Sequence, residues 1–460
     1  MDELNNKSQT TIKPAGRTIS TLLMVLLSYI IVILVGTFIL MAPFSSKEHV
    51  ATGFIDSFFT ATSATCVTGL VVVDTYLHWS LVGQLVILFL VQMGGIGFMS
   101  TIAFLTRSLR VKMSFKDRKF LMESVGIQKK GDFGNVLRNI VLGSIIFETL
   151  GAALLCIRFI PQFGAANGIY FAAFHAISAF CNAGFDLMGV FGVPFASFTM
   201  YANDWLVNIV LCTLIFIGGL GFIVWDDLIR SKFNIKEVSM HSKLMLMGSV
   251  VILFLSTCQF IIYEANHLYQ GMPFGEAFLR SLFAATTART AGFNTTDMTQ
   301  FSDGSIFVTM ALMFVGGGSG STAGGIKVTT LIVIILGIVA LNTKDGQIVI
   351  RGKKIGKEIL HQAFAVLSTY LILVAFFTLL ILGLDPEIGL RDTIFEVISA
   401  IGTVGIAIGD TTLLLHPASR IAIAILMYIG RVGILTIVLS FAKPRREHTV
   451  ILPEENVMVG

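Results

Sequence analysis

The apolar residues of this chain form long blocks that short polar segments separate. A bilayer crossing takes about 20 apolar residues, and eight blocks approach or exceed that length, near residues 20–42, 78–106, 136–160, 205–229, 243–266, 305–341, 360–383 and 418–441. Of the 460 residues, 55% are hydrophobic and only 13% are charged, whereas soluble domains carry about 25% charged residues. The pattern predicts an all-α polytopic membrane protein.

A shorter, semi-apolar stretch lies within each successive pair of blocks, at Gly53–Ala64, Gly168–Ala179, Phe274–Thr287 and Gly389–Ala400. Each is too short to cross the hydrocarbon, and a re-entrant half-helix fits its length. Basic residues cluster near the amino terminus and at 107–130, 230–243, 344–357 and 443–446. The positive-inside rule therefore places both termini in the cytoplasm and the four stretches on the outer side.

A short motif occurs four times, once after each of these stretches. Aligned on a glycine, the matching segments are Ser63–Leu70, Ser178–Phe185, Thr286–Phe293 and Ser399–Ile406. The aligned glycines, Gly69, Gly184, Gly292 and Gly405, are 115, 108 and 113 residues apart. A glycine cluster then follows in each second block, at Gly94–Phe98, Gly218–Phe222, Gly316–Gly318 and Gly430–Gly433. Two landmarks with a shared period indicate four linked copies of one unit.

The repeated turns have a chemical use at membrane depth, where non-helical backbone must line water or be buried in protein. Four extended turns that converge could satisfy their carbonyl oxygens with a dehydrated cation, and rings of carbonyls select K⁺ in known channels. Glycine suits such turns because a Cβ disfavours the backbone angles and the close approach. The half-helices would also direct the negative ends of their dipoles at the cation.

The predicted fold follows from these repeats. It has four covalently linked helix–pore loop–helix repeats, with eight transmembrane helices and four re-entrant pore helices, in pseudo-fourfold symmetry around one central pore. We assign the repeats to residues 1–106, 107–230, 231–342 and 343–460.

One glycine cluster is unusual, because Gly316–Gly325 contains six glycines in ten residues inside the sixth block. Each glycine costs about 1 kcal/mol in a helix interior, so the span should break there and face the pore. We expect this segment to obstruct the pathway and to move when it opens. Close helix packing through small residues explains the ten-residue run poorly, although it would account for the clusters of repeats one and two.

The four turn motifs, the Gly-Gly-X-Gly-Phe segments, the glycine-rich third repeat and Arg431 together resemble the Trk/Ktr/HKT superfamily of K⁺ transporters. The resemblance covers nearly the whole chain and is greatest to the membrane subunit of bacterial Ktr-type potassium uptake systems. It implies K⁺ uptake through a filter with one glycine per repeat, here Gly69, Gly184, Gly292 and Gly405. Plant relatives that prefer Na⁺ have serine at the first position, so Gly69 favours K⁺.

The expected site residues fall into two groups. The filter group, with K⁺-binding carbonyls, comprises Thr65, Cys66, Val67, Thr68, Gly69, Cys181, Asn182, Ala183, Gly184, Arg289, Thr290, Ala291, Gly292, Gly402, Thr403, Val404 and Gly405. The gate group comprises Gly316, Gly317, Gly318, Ser319, Gly320, Ser321, Thr322, Ala323, Gly324, Gly325 and Arg431. Most side chains flanking the glycines are expected to buttress the turns.

Two arginines lie inside apolar or pore-like segments, where an unpaired charge is costly. By resemblance, Arg431 contacts the glycine-rich loop and adds a positive barrier below the filter; an ion pair with Glu148 or Glu396 is the alternative. For Arg289, beside the third turn, a structural pairing is favoured.

The resemblance further implies a homodimer in the membrane, seated on a cytosolic ring of nucleotide-binding regulatory subunits of the RCK/KTN type. The expected location is the bacterial plasma membrane, with K⁺ as the transported ion and Na⁺ as an additional activator. No nucleic-acid partner is expected.

Other classes of function have less support. The chain lacks a Walker motif, a zinc-binding spacing and a nucleophile elbow, so it is not expected to be an enzyme. Its five cysteines have no paired spacing, which argues against a disulfide framework or a metal site. A secondary transporter that couples K⁺ to Na⁺ by alternating access remains the alternative, because broken helices are typical of that class as well.

Overall fold

The computed structural model describes residues 21–97, 133–341, 348–350, 352–409 and 415–434. These residues form fourteen α-helices, which confirms the all-α fold class. The helices are α1 (Thr21–Met41), α2 (Phe54–Cys66), α3 (Leu81–Ile96), α4 (Phe133–Phe163), α5 (Ala165–Phe180), α6 (Trp205–Leu220), α7 (Phe222–Arg230), α8 (Met240–Glu264), α9 (Phe274–Thr287), α10 (Asp303–Phe314), α11 (Val328–Ala340), α12 (Lys357–Leu384), α13 (Leu390–Gly402) and α14 (Pro417–Val432).

Smaller elements connect the helices. Single 3₁₀ turns cover Pro43–Ser45, Met188–Phe191, Thr199–Tyr201 and Met298–Gln300. One short antiparallel hairpin pairs β1 (Val349–Ile350) with β2 (Lys353–Lys354). Both chain ends, the basic clusters at 107–130 and 443–446, and the repeat boundaries at 106/107 and 342/343 lie outside the described residues.

The helices α2, α5, α9 and α13 coincide with the four predicted half-helices and end at the glycine motifs. Each packs against the second span of the preceding repeat: α5 against α3, α9 against α6, α13 against α10, and α2 against α14 of the last repeat. The last contact joins α14 to α2 and so closes the circle of half-helices. The half-helices are therefore enclosed in the centre of the molecule, with the longer helices around them.

The lengths of the outer helices agree with membrane crossing. Among the described residues, three helices are long and apolar enough to span a bilayer, covering Arg138–Phe163, Met240–Glu264 and Lys357–Leu384, and α6 with α7 meets the same criterion as a bent pair. Shorter apolar helices account for most of the remaining predicted blocks within the described residues. Large apolar side chains on these helices are exposed, for example Ile262 at 70% and Leu379 at 72%. Such a surface suits contact with lipid.

The second spans are interrupted where the glycine clusters lie. Gly97, Gly221 and Gly433 have positive φ values of 88°, 103° and 90°, which end α3, α6 and α14. At Gly221 the chain bends by 89° between α6 and α7, so the apolar block predicted at 205–229 is a bent pair of helices and not one straight helix. Close packing is also present, because a Cβ on Gly218 would lie 3.1 Å from the carbonyl carbon of Phe180.

Candidate functional site: four converging turns and a glycine-rich loop

The four turns after the half-helices share one backbone shape. Two residues before each glycine the backbone is left-handed, with φ of 57° at Val67, 58° at Asn182, 71° at Thr290 and 50° at Thr403. The glycines follow with φ of 95° at Gly69, 70° at Gly184, 84° at Gly292 and 89° at Gly405. Left-handed angles are strained for β-branched residues, at about 1–3 kcal/mol each. Strain at three of these four positions means that the surrounding structure enforces the turns.

The four glycines are neighbours in a closed ring. A Cβ added to Gly69 would lie 3.1 Å from the Cα of Gly184, and one on Gly184 would lie 2.9 Å from that of Gly292. A Cβ on Gly292 would lie 3.4 Å from the Cα of Gly405, and one on Gly405 would lie 2.9 Å from that of Gly69. Main chain thus meets main chain around the ring. Each half-helix also ends there, so the negative ends of four helix dipoles converge.

The side chains predicted to flank the glycines are almost completely buried. Each of the following residues is at most 2% exposed: Thr65, Cys66, Val67, Thr68, Cys181, Asn182, Ala183, Thr290, Ala291, Thr403 and Val404. The side chains of Asn182 and Thr290 lie 3.3 Å apart and connect the second turn to the third. Gly402 is the last residue of α13. At the glycines themselves, the neighbouring turns meet through main-chain atoms.

A cavity of about 110 Å³ lies next to the ring, on the side where the chain continues after the four glycines. The four glycines line it together with Asp74, Asp186, Ser197 and Asn294. Burial, with a smaller contribution from the negative charge of Asp74, raises the pKa of the Asp186 carboxyl to about 7. The backbone amide of Met188 donates to this carboxyl at 2.9 Å. The mouth of the ring is therefore an acidic, partly enclosed chamber.

The glycine-rich segment Gly316–Gly325 is a loop between α10 and α11, as the sequence predicts for a broken span. The amide of Gly318 donates to the carbonyl of Gly219 at 2.8 Å, and the amide of Phe222 donates to Gly320 at 2.8 Å. At its other end, a Cβ on Gly324 would lie 2.8 Å from the carbonyl oxygen of Gly402. The loop thus contacts the break in repeat two and the end of the fourth half-helix.

Arg431 extends from α14 towards this loop. Its guanidinium donates to the carbonyl oxygens of Thr322 and Gly94 and, at 3.3 Å, to that of Gly95. The carboxylate of Glu148 instead accepts from the amide of Gln92, at 3.0 and 3.1 Å. The structure therefore places Arg431 against backbone carbonyls of the loop and of repeat one, rather than in an ion pair with Glu148.

Lys327 is a functional candidate that the sequence analysis missed. Its ammonium group donates to the carbonyls of Ala323 at 2.8 Å and of Gly324 at 3.2 Å. A lysine in the middle of an apolar block was the available signal, since charges at membrane depth are rarely without a role.

Arg289 faces away from the glycine ring. It is 8% exposed, and its guanidinium donates to the hydroxyl of Ser249 at 3.2 Å and to the carbonyl of the same residue at 3.4 Å. These bonds attach the third turn to α8, in line with the structural pairing expected for this residue.

Comparisons with known proteins agree with this architecture. A family model described as TrkH, cation transport protein, matches residues 20–449. The chain is 36% identical over 458 residues to the potassium/sodium uptake protein NtpJ of Enterococcus hirae, covering 97% of this chain and 99% of that protein. It is 36% identical over 436 residues to the Ktr system potassium uptake protein B of Bacillus subtilis, covering 94% of this chain and 95% of that protein.

A solved structure has the same fold. The crystal structure of the potassium transporter TrkH from Vibrio parahaemolyticus matches with a TM-score of 0.74 and 17% identity, over 94% of this chain and 86% of that one. Because the family model and both relatives cover nearly all of the sequence, the chain belongs to the TrkH family of cation transport proteins.

Proposed function

We propose that this chain carries K⁺ into the cell through the ring of four glycines, with backbone carbonyls replacing the water around the ion. The observation that carries the proposal is the closed ring itself, in which Gly69, Gly184, Gly292 and Gly405 meet backbone to backbone. Carbonyls arranged around a cation are the known basis of K⁺ selection. The names of the relatives, a potassium/sodium uptake protein and a Ktr system potassium uptake protein, support the same ion.

The glycine-rich loop is the gate of this pathway. It lies against the end of the fourth half-helix, next to Gly402, and Arg431 and Lys327 bind its carbonyls. Opening requires the loop to leave these contacts. Deletion of residues 317–323 should therefore raise the K⁺ flux, and a flux equal to that of the parent would rule out a gating role.

The repeats surround the ring with pseudo-fourfold symmetry, with repeat boundaries at 106/107, 230/231 and 342/343. Both termini and the basic linkers lie in the cytoplasm of a bacterial cell. A membrane potential of 100 mV contributes about 2.3 kcal/mol per charge to cation entry.

The assembly is a homodimer on a cytosolic ring of nucleotide-binding subunits of the RCK/KTN type. The word "system" in the name of the Bacillus subtilis relative supports a multicomponent assembly. Affinity purification of the tagged chain from native membranes should recover such a subunit; its reproducible absence would contradict this part of the proposal.

Coupled K⁺ and Na⁺ transport is the second candidate, and the name of the Enterococcus hirae relative favours it. Reversal potentials separate the two mechanisms. For a uniporter, the reversal potential depends only on the gradients of the ions that permeate. For transport coupled at a fixed ratio, the reversal potential shifts with the Na⁺ gradient even when Na⁺ alone carries no current. The same measurement tests whether Na⁺ acts only as an activator.

The direct test of K⁺ uptake is complementation. The full chain, expressed with the cytosolic subunit recovered from its own cells, should restore growth of a K⁺-uptake-deficient bacterium at low K⁺. Net K⁺ uptake by K⁺-depleted cells should exceed that of the empty vector. Uptake indistinguishable from the vector, with the chain present in the membrane, would overturn the proposal.

A further inference from the structure

Each half-helix carries a buried hydroxyl in its last turns that forms a hydrogen bond with the neighbouring glycine turn. These hydroxyls belong to Ser63, Ser178, Thr287 and Ser399, which are at most 1% exposed. Water cannot replace a bond at such a site, so each hydroxyl constrains a main-chain atom at the ring or one residue beyond it.

In repeats one and four the hydroxyl accepts a hydrogen bond from the glycine itself. The amide nitrogen of Gly69 is 3.0 Å from the hydroxyl oxygen of Ser63. The amide nitrogen of Gly405 is 3.2 Å from the hydroxyl oxygen of Ser399. In both repeats the scaffold therefore fixes the glycine through its N–H group.

In repeats two and three the hydroxyl donates instead, to the carbonyl of the residue after the glycine. Ser178 donates to the carbonyl oxygen of Phe185 at 2.7 Å, and Thr287 donates to that of Phe293 at 2.6 Å. These two carbonyls are held towards the half-helices. In repeats one and four the hydroxyl bonds to the amide of the glycine and not to the carbonyl of the residue that follows it.

The third repeat does not follow the register of the sequence motif. Ser63, Ser178 and Ser399 lie six positions before their glycines, and Thr286 occupies that position before Gly292. The hydroxyl of Thr286, however, donates to the carbonyl of Leu282 within its own helix, at 2.7 Å, a common local bond for threonine.

The backbone explains this shift. In the first repeat the amide of Thr68 bonds to the carbonyl of Ser63, five residues earlier, at 2.8 Å. In the third repeat the amide of Ala291 bonds to Thr287, only four residues earlier, at 2.9 Å. The third turn is therefore one residue tighter, and Thr287 takes the place that the motif gives to Thr286.

We propose that these buried hydroxyls position the filter turns for K⁺, and that Thr287, rather than Thr286, has this role in the third repeat. The inference rests on the proposed K⁺ pathway. Because the first and fourth glycines are neighbours, as are the second and third, the two bonding modes divide the ring into two unlike halves. Discrimination between K⁺ and Na⁺ depends on the number and orientation of carbonyl dipoles, so loss of a hydroxyl should weaken it.

The test compares two adjacent threonines. Valine is close in shape to threonine and lacks only the hydroxyl, so Thr287→Val should lower the ratio of K⁺ to Na⁺ uptake about five- to tenfold. Thr287→Ser keeps the hydroxyl and should restore the ratio, and Thr286→Val should leave it as in the parent. Equal ratios for Thr286→Val and Thr287→Val, whether both changed or both unchanged, would overturn the inference.

A measurement that does not depend on transport completes the design. The detergent-purified chain should have a higher Tm in KCl than in choline chloride, because a bound ion stabilises the folded state. Thr287→Val should lose most of this K⁺-specific increase and Thr286→Val should keep it. If Thr287→Val does not reach the membrane, Ser178→Ala replaces it in the comparison. A parent with neither K⁺ uptake nor a K⁺-dependent Tm would refute the proposed function itself, whereas normal values in parent and variants alike refute only the positioning role.

Discussion

The guanidinium of Arg431 donates a hydrogen bond to the carbonyl oxygen of Thr322, in the middle of the glycine-rich loop. The same side chain donates to Gly94, at the end of the second span of repeat one. One residue of the last repeat therefore attaches the loop of the third repeat to the first. Hydrogen bonds from a charged group are about twice as strong as neutral ones, so this contact should favour the closed position of the loop.

Replacement of Arg431 by glutamine should raise the rate of K⁺ uptake. The loss of a charged hydrogen bond amounts to about 1.5–3 kcal/mol, which corresponds to an increase of roughly tenfold or more in the open fraction while the closed state dominates. The measurement is the maximal rate of K⁺ uptake in K⁺-depleted cells, with the K⁺ to Na⁺ ratio unchanged. Arg391→Gln is the control, because Arg391 is an exposed partner of Asp303 and Asp392. A lower uptake rate in Arg431→Gln would contradict a closing role.

Lys327 should act together with Arg431, since both donate to adjacent carbonyls of one loop. Lys327→Met should also raise the maximal uptake rate. The double variant should show less than the product of the two single effects, because loss of one bond lets the loop shift and so weakens the other bond. Lys243→Met is the control, because Lys243 is only partly buried and its hydrogen bond to the backbone of Lys236 is exposed to solvent. Multiplicative effects would show that the two bonds act independently, and an unchanged uptake rate in Lys327→Met would contradict a closing role for Lys327.

Much of this site follows from the sequence because its elements repeat. The half-helix α9 has the predicted bounds, Phe274–Thr287, and the aligned glycines all have positive φ. Because the motif recurs at a nearly constant spacing, its four copies can be aligned from the sequence alone. The turns need backbone angles that most residues do not adopt, so glycine marks them in the sequence.

Other features depend on backbone and side-chain geometry that the residue pattern does not specify. Nothing near Lys327 in the sequence indicates that its ammonium group turns back to Ala323. The bend at Gly221 depends on the loop of the next repeat, which supplies the carbonyl of Gly320 to the amide of Phe222. The tighter third turn likewise requires the bonding of Ala291 to Thr287. The motif register alone favours Thr286.

Serine at Gly69 or Gly405 should weaken the preference for K⁺. A Cβ at Gly69 would lie 3.1 Å from the Cα of Gly184, and its φ of 95° is unfavourable for any residue with a side chain. The ring would therefore widen or tilt, at a cost of about 1–3 kcal/mol. Gly192→Ser is a matched control, because Gly192 has a φ of 79° but open space around its Cβ position. Selectivity ratios from competition between K⁺ and Na⁺ should fall in the ring variants and stay at the parental value in the control.

K⁺ affinity should depend on external pH through Asp186, which lines the chamber outside the ring. Its pKa is raised to about 7 because burial disfavours the charged form, and the negative charge of Asp74 adds to this effect. Above pH 7 the carboxylate attracts cations, so the KM for external K⁺ should be lower at pH 8 than at pH 6, by up to about tenfold. Asp186→Asn should have a high KM at both values, whereas Asp303→Asn, at an exposed acid, should keep the pH dependence.

Linkage gives this prediction a second readout with a defined sign. The carboxyl of Asp186 has a higher pKa in the folded chain, about 7, than its ordinary value of 3.8. The folded state therefore binds more protons between these values, and the stability associated with this group is present below pH 4 and is lost as the pH rises towards 7. Bound K⁺ favours the carboxylate, so added K⁺ should offset part of that loss and lower the apparent pKa of Asp186.

The measurement is Tm in KCl and in choline chloride between pH 5 and 8. For the parent, the difference between the two Tm values should be largest at the alkaline end. In Asp186→Asn the gap between the two salts should stay constant across this range; a gap that still grows with pH would assign the effect to another group.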